Sequence, residues 1–259
     1  MSLPVPAPVP APAPGFSMID AYLARIHYTG PRDATPEVLK ALHEHHLFSV
    51  PFENLDIHLG REIVTDERRI LDKIVTQRRG GFCYELNGAF AALLRAVGFE
   101  VDMLSARVPR ADGTASPEFD HMTLLVRAGG ERWLADVGFG DCFVHPLRLD
   151  ERGEQRDPAG VFRVEQRDAR DWLLSSAGKP EYLFSLEPHP LSDYAEMCFY
   201  HQTSPQSSFT QKRVCTLATP AGRITLRDDR LLITENNVKR EEPVDDWSAV
   251  LRARFGVEL

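Results

Sequence analysis

Hydrophobic residues recur along this chain with two different periods. From Ser17 onward the apolar positions return every three or four residues. Met18, Tyr22 and Ile26 share one helical face, and Ser17 is suited to cap it. Thr35 and Pro36 make an N-cap followed by proline at the first helical position. The helix they open carries Val38, Leu39, Leu42 and His46. Residues 69–75 offer a further short helical stretch. Phe82, Leu86, Phe90, Leu93, Leu94 and Val97 then repeat at helical spacing, with Gly98 as the stop. Beyond Gly98 the period becomes two. Strands are expected over 100–108, 121–127, 132–137, 162–166 and 172–176. A later meander covers 213–219, 223–227 and 231–234, punctuated by Pro220-Ala221-Gly222 and Asp228-Asp229. The tail 245–254 is expected to be helical, with Trp247, Val250 and Leu251 on one face. Helices first, strands next and a mixed end predict an α+β architecture. Residues 1–15 alternate proline with small residues, which predicts an extended, poorly ordered tail.

Composition narrows the functional classes. The 259 residues are 43% hydrophobic and 26% charged, enough for a sizeable core. A net charge of -8 argues against a nucleic-acid backbone as the main partner. No apolar run approaches the ~20 residues that span a membrane. The N-terminus lacks the basic start and continuous apolar stretch of a signal peptide. The four cysteines, Cys83, Cys142, Cys198 and Cys215, show neither CxxC pairing nor metal-type spacing. That favours a reduced, cytoplasmic setting over a disulfide scaffold. His43, His45 and His46 lie in an amphipathic helix without a matching ligand set elsewhere, so no metal site is expected. His27, His58, His145, His189 and His201 carry no readable chemistry by themselves.

Cys83 stands apart from the other cysteines. It follows Gly80, Gly81 and Phe82 and opens the amphipathic helix. Glycines there let another segment or a ligand approach the backbone closely. A helix start offers unpaired N–H groups and the positive end of the dipole. Both favour the thiolate, which is the nucleophile, and the Cys83 N–H is placed to donate to an oxyanion. Arg78 and Arg79 add positive charge just upstream. A buried structural cysteine stays open as the plain alternative.

The segment 121–137 predicts a β-hairpin. Gly129-Gly130 suits a two-residue primed turn. Such a turn pairs Ala128 with Glu131 and Val126 with Trp133, and puts Thr123 opposite Asp136. His121 then shares a face with Asp136, one diagonal step away and within side-chain reach. A carboxylate beside an imidazole fixes the ring's tautomer and orientation, as a catalytic base requires. An aspartate flanked by Leu134, Ala135, Val137 and Phe139 also needs a partner. A surface-facing polar stripe is the alternative, and a shift of one residue in register would remove the pair.

Taken together, these residues resemble a known family. Arg78-Arg79-Gly80-Gly81-Phe82-Cys83-Tyr84-Glu85-Leu86-Asn87 closely resembles the nucleophile motif of arylamine N-acetyltransferases. Val50-Pro51-Phe52-Glu53-Asn54-Leu55 resembles their other N-terminal signature, and Asp136-Val137-Gly138-Phe139-Gly140 the segment bearing their triad aspartate. The likeness continues through Phe184-Ser185-Leu186-Glu187-Pro188 and Thr203-Ser204-Pro205, with matching spacing, over about residues 18–235. It implies an N-terminal helical bundle (16–98), a central antiparallel β-barrel (99–205) and a C-terminal α/β lid (206–259), with a core like that of papain-type cysteine enzymes. It implies Cys83 as acetyl-accepting nucleophile, His121 as base and acid, and Asp136 as orienter. Acetyl-CoA would be the donor, met by a local basic or backbone-amide patch. Arylamines, hydrazines or N-hydroxyarylamines would be acceptors. Phe52, Val108, Phe139 and Phe209 are candidates for the acceptor pocket, and Gly138 and Gly140 for the pantetheine arm. Asp120 departs from the family, which often has a second histidine near the base, and so does the proline-rich start.

The same machinery serves polyketide amide synthases, which resemble this family and close macrolactams from a carrier-bound acyl group. A papain- or transglutaminase-type cysteine hydrolase and a non-catalytic binding module are the remaining alternatives.

Overall fold

Capping chemistry sets the helical first third of the chain. The computed structural model describes residues 17–110, 112–236 and 238–259, so the proline-rich stretch 1–15 lies outside it. The Ser17 side chain accepts from Asp20 N–H at the start of α1 (Met18–Arg25). Thr35 does the same for Val38 N–H at the start of α2 (Pro36–Ser49), with Pro36 at the first position. A short α3 (Leu55–His58) precedes α4 (Glu67–Leu71), which Asp66 caps. The helix expected over 69–75 changes geometry here. After Leu71 the chain widens into a π turn over Asp72–Thr76, and Lys73, Ile74 and Val75 are all buried. Helix α5 (Cys83–Val97) ends on Gly98 at φ 111°, a left-handed conformation that favours glycine.

Thirteen strands follow in two antiparallel sheets among the described residues. They are β1 (Phe52–Glu53), β2 (Glu100–Arg107), β3 (His121–Ala128), β4 (Glu131–Ala135), β5 (Leu147–Arg148), β6 (Gln155–Asp157), β7 (Gly160–Gln166), β8 (Asp171–Ser176), β9 (Lys179–Pro188), β10 (Val214–Thr219), β11 (Gly222–Arg227), β12 (Arg230–Glu235) and β13 (Val238–Pro243). The larger sheet runs β5-β4-β3-β2-β9-β8-β7-β6. The Gln155 side chain of β6 accepts from Arg148 N–H of β5 at 2.8 Å and donates to Arg148 C=O at 2.9 Å. One amide thus bridges the two edges and nearly closes the sheet into a barrel. The smaller sheet runs β1-β10-β11-β12-β13. Because β1 pairs Phe52 with Thr216 and Glu53 with Cys215, it ties the C-terminal meander to the helical part.

The β3–β4 hairpin has the expected register. Gly129 and Gly130 sit at φ 61° and 75°, and the ladder runs from Ala128↔Glu131 to Leu124↔Ala135. Asp136 lies one step past the last pair. Strands β9 and β13 lack a period-two signal over their full length: β9 opens on Lys179-Pro180-Glu181, and β13 is exposed at every position. Helix α6 (Ala195–Thr203) buries only Cys198 and His201, so it carries no apolar stripe to announce it. It is followed by α7 (Ser208–Gln211) and, near the C-terminus, by α8 (Trp247–Val250), which widens into a π turn over Leu251–Phe255.

Two buried polar arrangements hold the helical part to the sheets. Lys73 Nζ lies 2.7 Å from both Asp56 Oδ2 and Glu85 Oε1. Arg79 Nη2 lies 2.7 Å from Glu53 Oε1 and 3.0 Å from Asp56 Oδ1. Two cations therefore serve three carboxylates beneath the start of α5. On α2, His43 accepts from Asp136 N–H through Nε2 at 3.0 Å and donates from Nδ1 to Val144 C=O at 2.8 Å. That pair of bonds requires the neutral imidazole, and burial pushes its pKa from 6.5 down to about 4.

Lys73→Met removes one of the two cations and leaves Asp56 and Glu85 undercompensated in the interior. We expect a loss of about 3 kcal/mol, read from urea unfolding. Loss below about 1 kcal/mol would mean that solvent already screens the cluster. His43 adds a pH signature. Its folded pKa is depressed, so its contribution is complete above pH 6.5 and is lost as pH falls toward 4. The stability gap between wild type and His43→Gln should narrow by about 2 kcal/mol from pH 7 to pH 5. A constant gap would show that His43 is not held neutral.

Candidate active site

Close packing explains the glycines before Cys83. A Cβ at Gly80 would overlap the Pro51 carbonyl oxygen, and one at Gly81 would stand 2.7 Å from the Glu85 side chain. The close approach is made by the chain itself. It lets Glu85 Oε2 reach back to Phe82 N–H at 3.2 Å and fixes the start of α5. Cys83 is the first residue of that helix and is buried.

Strand β3 opens on His121, which pairs with Ala106 of β2, and β4 leads directly into Asp136. His121 Nε2 lies 2.7 Å from Asp136 Oδ2. The other carboxylate oxygen, Oδ1, accepts from Asn87 Nδ2 and from Gly138 N–H, each at 2.9 Å. Asn87 sits four residues after Cys83 on the same face of α5. Its Nδ2 also donates to Met122 C=O at 2.6 Å, and its Oδ1 accepts from Val137 N–H at 2.9 Å. A single amide thus clamps both arms of the hairpin to α5. Gly138 completes the clamp, since a Cβ there would come within 2.8 Å of Cys83 Cα.

Electrostatics divide the two ends of this array. Burial works against the Asp136 charge, but the His121 ring and the donors from Asn87 and Gly138 outweigh it and hold the carboxyl below its ordinary value. Burial pushes the Cys83 thiol up, opposed by the Met122 N–H. Burial therefore opposes the thiolate that the helix start favours. A specific proton acceptor is needed. Cys83 and His121 face one cavity of about 380 Å³. With Nε2 committed to Asp136, the ring's Nδ1 has no hydrogen-bond partner among the described residues.

Phe52, Val108, Phe139, Phe209 and Gly138 line this cavity. Phe139 meets the His121 ring edge-on at 5.1 Å, and Phe52 and Phe209 are 6.1 Å apart. Gly140, at φ 92°, stands outside the lining, and a Cβ there would meet the Phe52 ring at 3.7 Å. Cys142, Cys198 and Cys215 are unpaired and buried away from the cavity lining; burial pushes Cys198 up to about 12. The sequence reading missed Asn87, His43, Asp120 and His201. Only Asn87 had a local signal, its spacing of four from Cys83. The Glu53-Asn54 pair also gains a physical reason. Glu53 holds Arg79, and Asn54 donates to Phe209 C=O at 2.9 Å and Lys212 C=O at 2.7 Å, which fixes α7, the short helix bearing Phe209.

The pattern of a family described as N-acetyltransferase matches residues 35–259. An arylamine N-acetyltransferase / N-hydroxyarylamine O-acetyltransferase of Salmonella typhimurium is 37% identical over 216 residues, 81% of this chain and 76% of that protein. The solved arylamine N-acetyltransferase from Salmonella typhimurium superposes with a TM-score of 0.88 at 33% identity, over 93% of this chain and 92% of that one. Mycobacterium marinum arylamine N-acetyltransferase, solved in complex with CoA, gives a TM-score of 0.85 at 29% identity over 92% of each chain. The likeness extends over nearly the whole described structure, and the chain belongs to the arylamine N-acetyltransferase family.

Proposed function

We propose that the protein transfers an acetyl group from acetyl-CoA to the nitrogen of arylamines and hydrazines, or to the oxygen of N-hydroxyarylamines, through a Cys83 thioester. The observation that carries the reading is the convergence of Cys83 and an Asp136-bound His121 on one aromatic-walled cavity. His121 takes the thiol proton as Cys83 Sγ attacks the thioester carbonyl. The Cys83 N–H, at the open start of α5, donates to the oxyanion. Collapse expels CoA, which leaves as the thiol with the proton from His121. The acceptor nitrogen then attacks acetyl-Cys83, His121 takes its proton, and the amide leaves as Cys83 regains a hydrogen. Arylamines are weak bases and hence neutral nucleophiles near pH 7, and the phenylalanine walls favour their rings. Gly138 lines the cavity and Gly140 follows two residues on, where the pantetheine arm would pass. Helical bundle 16–98, barrel 99–205 and lid 206–259 are the natural division of labour, and the unpaired cysteines suit a cytoplasmic enzyme.

Incubation with acetyl-CoA alone should release one CoA per chain and add one acetyl group at Cys83, seen by intact mass and peptide mapping. Cys83→Ser should show neither. An adduct on Cys142, Cys198 or Cys215 would overturn the assignment. Asp136→Asn should slow Cys83 acetylation by about a thousandfold or more. Its fold is checked by thermal melting, since the clamp from Asn87 and Gly138 also changes. A folded Asp136→Asn protein with near wild-type acetylation would remove Asp136 from the mechanism.

A further inference from the structure

The cavity holds a second imidazole–carboxylate pair that the acetyl-transfer steps do not use. Asp120 immediately precedes the base His121, and His201 faces it from α6. His201 Nε2 lies 3.3 Å from Asp120 Oδ1 and 3.2 Å from the Asp120 carbonyl oxygen, and its Nδ1 lies 3.2 Å from Ser207 Oγ. The ring packs edge-on against Phe209 at 5.1 Å and Phe82 at 6.5 Å, and Tyr84 OH also donates to the Asp120 carbonyl at 3.2 Å. Neither side chain is spent on holding elements together at the surface. Both line the cavity that Cys83 faces.

We infer that Asp120, held in place by His201, determines which acceptors the acetyl-enzyme accepts, favouring those with an additional N–H or O–H donor and rejecting those with a carboxylate. This rests on the acyl-transfer reading above. An ionised carboxylate accepts hydrogen bonds at about four lone-pair positions and donates none. His201 and the Ser116 hydroxyl engage the Asp120 carboxylate, and their hydrogen bonds outweigh its burial and keep it in the charged form. The side chain remains 16% exposed, toward the cavity. The unfilled positions therefore face an acceptor between aromatic walls, where a donor is rewarded and a like charge is penalised. The other charged or titratable groups on the lining are Cys83, Arg110, His121, Tyr200 and His201. Arg110 is the one fixed cation among them and would act in the opposite sense. His121 is committed to Asp136, and His201 to Asp120 and Ser207. A hydrazide places its extra N–H beside the reacting nitrogen, as Asp120 lies beside the base.

Three anilines of similar size test this: 4-aminobenzamide, 4-aminobenzoate and 4-methylaniline. Each is measured as kcat/KM at saturating acetyl-CoA, alongside the burst of CoA without acceptor. Wild type should favour the benzamide over the benzoate by on the order of tenfold. Asp120→Asn keeps the shape and removes the charge, so this ratio should collapse toward one, while the burst still reaches one CoA per chain. His201→Gln frees the carboxylate from its holder and should reduce the preference for the benzamide over 4-methylaniline. Wild-type preference for the benzoate, attributable to Arg110, would overturn the inference, as would an unchanged ratio in folded Asp120→Asn. If Asp120→Asn does not fold, the wild-type preference and the His201→Gln ratios decide. Absence of the burst in wild type would instead refute the acyl-transfer reading itself.

Discussion

The Asp136 carboxylate is the constraint around which the rest is arranged. A fully buried charge has to be matched on every side. Here His121 takes one oxygen, while Asn87 and the Gly138 N–H take the other. Each partner comes from a different piece of chain: β3, α5 and the turn after β4. The residue's own N–H goes to His43 of α2. Satisfying one aspartate therefore fixes the distance between the nucleophile helix, the hairpin and the second helix. Orientation of the imidazole is a consequence of that packing, because the ring is one of the partners the carboxylate requires.

A second charge cluster does the same below the helix start. Glu53, Asp56, Lys73, Arg79 and Glu85 are all buried, and each touches an opposite charge. Glu85 also reaches Phe82 N–H, so the cluster is continuous with the cap that presents Cys83. Glu53 lies on β1, which joins the C-terminal sheet, and neighbouring Asn54 holds α7, which bears Phe209. The ion cluster thus couples the nucleophile to the cavity wall through a few covalent neighbours. Removing one member disturbs both.

The legible parts of this design were those set by local periodicity. The hairpin register followed from Gly129-Gly130, because a two-residue turn leaves one pairing, and that arithmetic brought His121 to Asp136. The helix boundaries at Ser17, Thr35 and Gly98 followed from cap chemistry. What stayed hidden was long-range or weakly patterned. His43 meets Asp136 across 93 positions and His201 meets Asp120 across 81, and nothing near either histidine announces its partner. Helix α6 and strand β13 hide few apolar side chains, so hydrophobic patterning could not mark them, and β9 buries Tyr182 and Phe184 but opens on Lys179-Pro180-Glu181, which masks its start. The burial that opposes the Cys83 thiolate is hidden for a related reason. Helix dipole and arginines are visible along the chain, whereas the depth at which Cys83 is buried is a property of the whole fold.

That depth acts on the chemistry as well. Burial raises the Cys83 thiol, while the imidazole that faces the same cavity is held at one nitrogen by Asp136. The two carboxylates nearest the cysteine divide the labour by solvation. Asp136 has no exposed surface at its side chain and all its acceptor capacity is directed at protein groups, so it can only orient. Asp120 keeps part of its surface on the cavity, so the groups it has left to bind are those of a substrate. On the functions proposed above, burial alone, applied to two residues of the same acid–imidazole type, separates the reaction from the choice of what reacts.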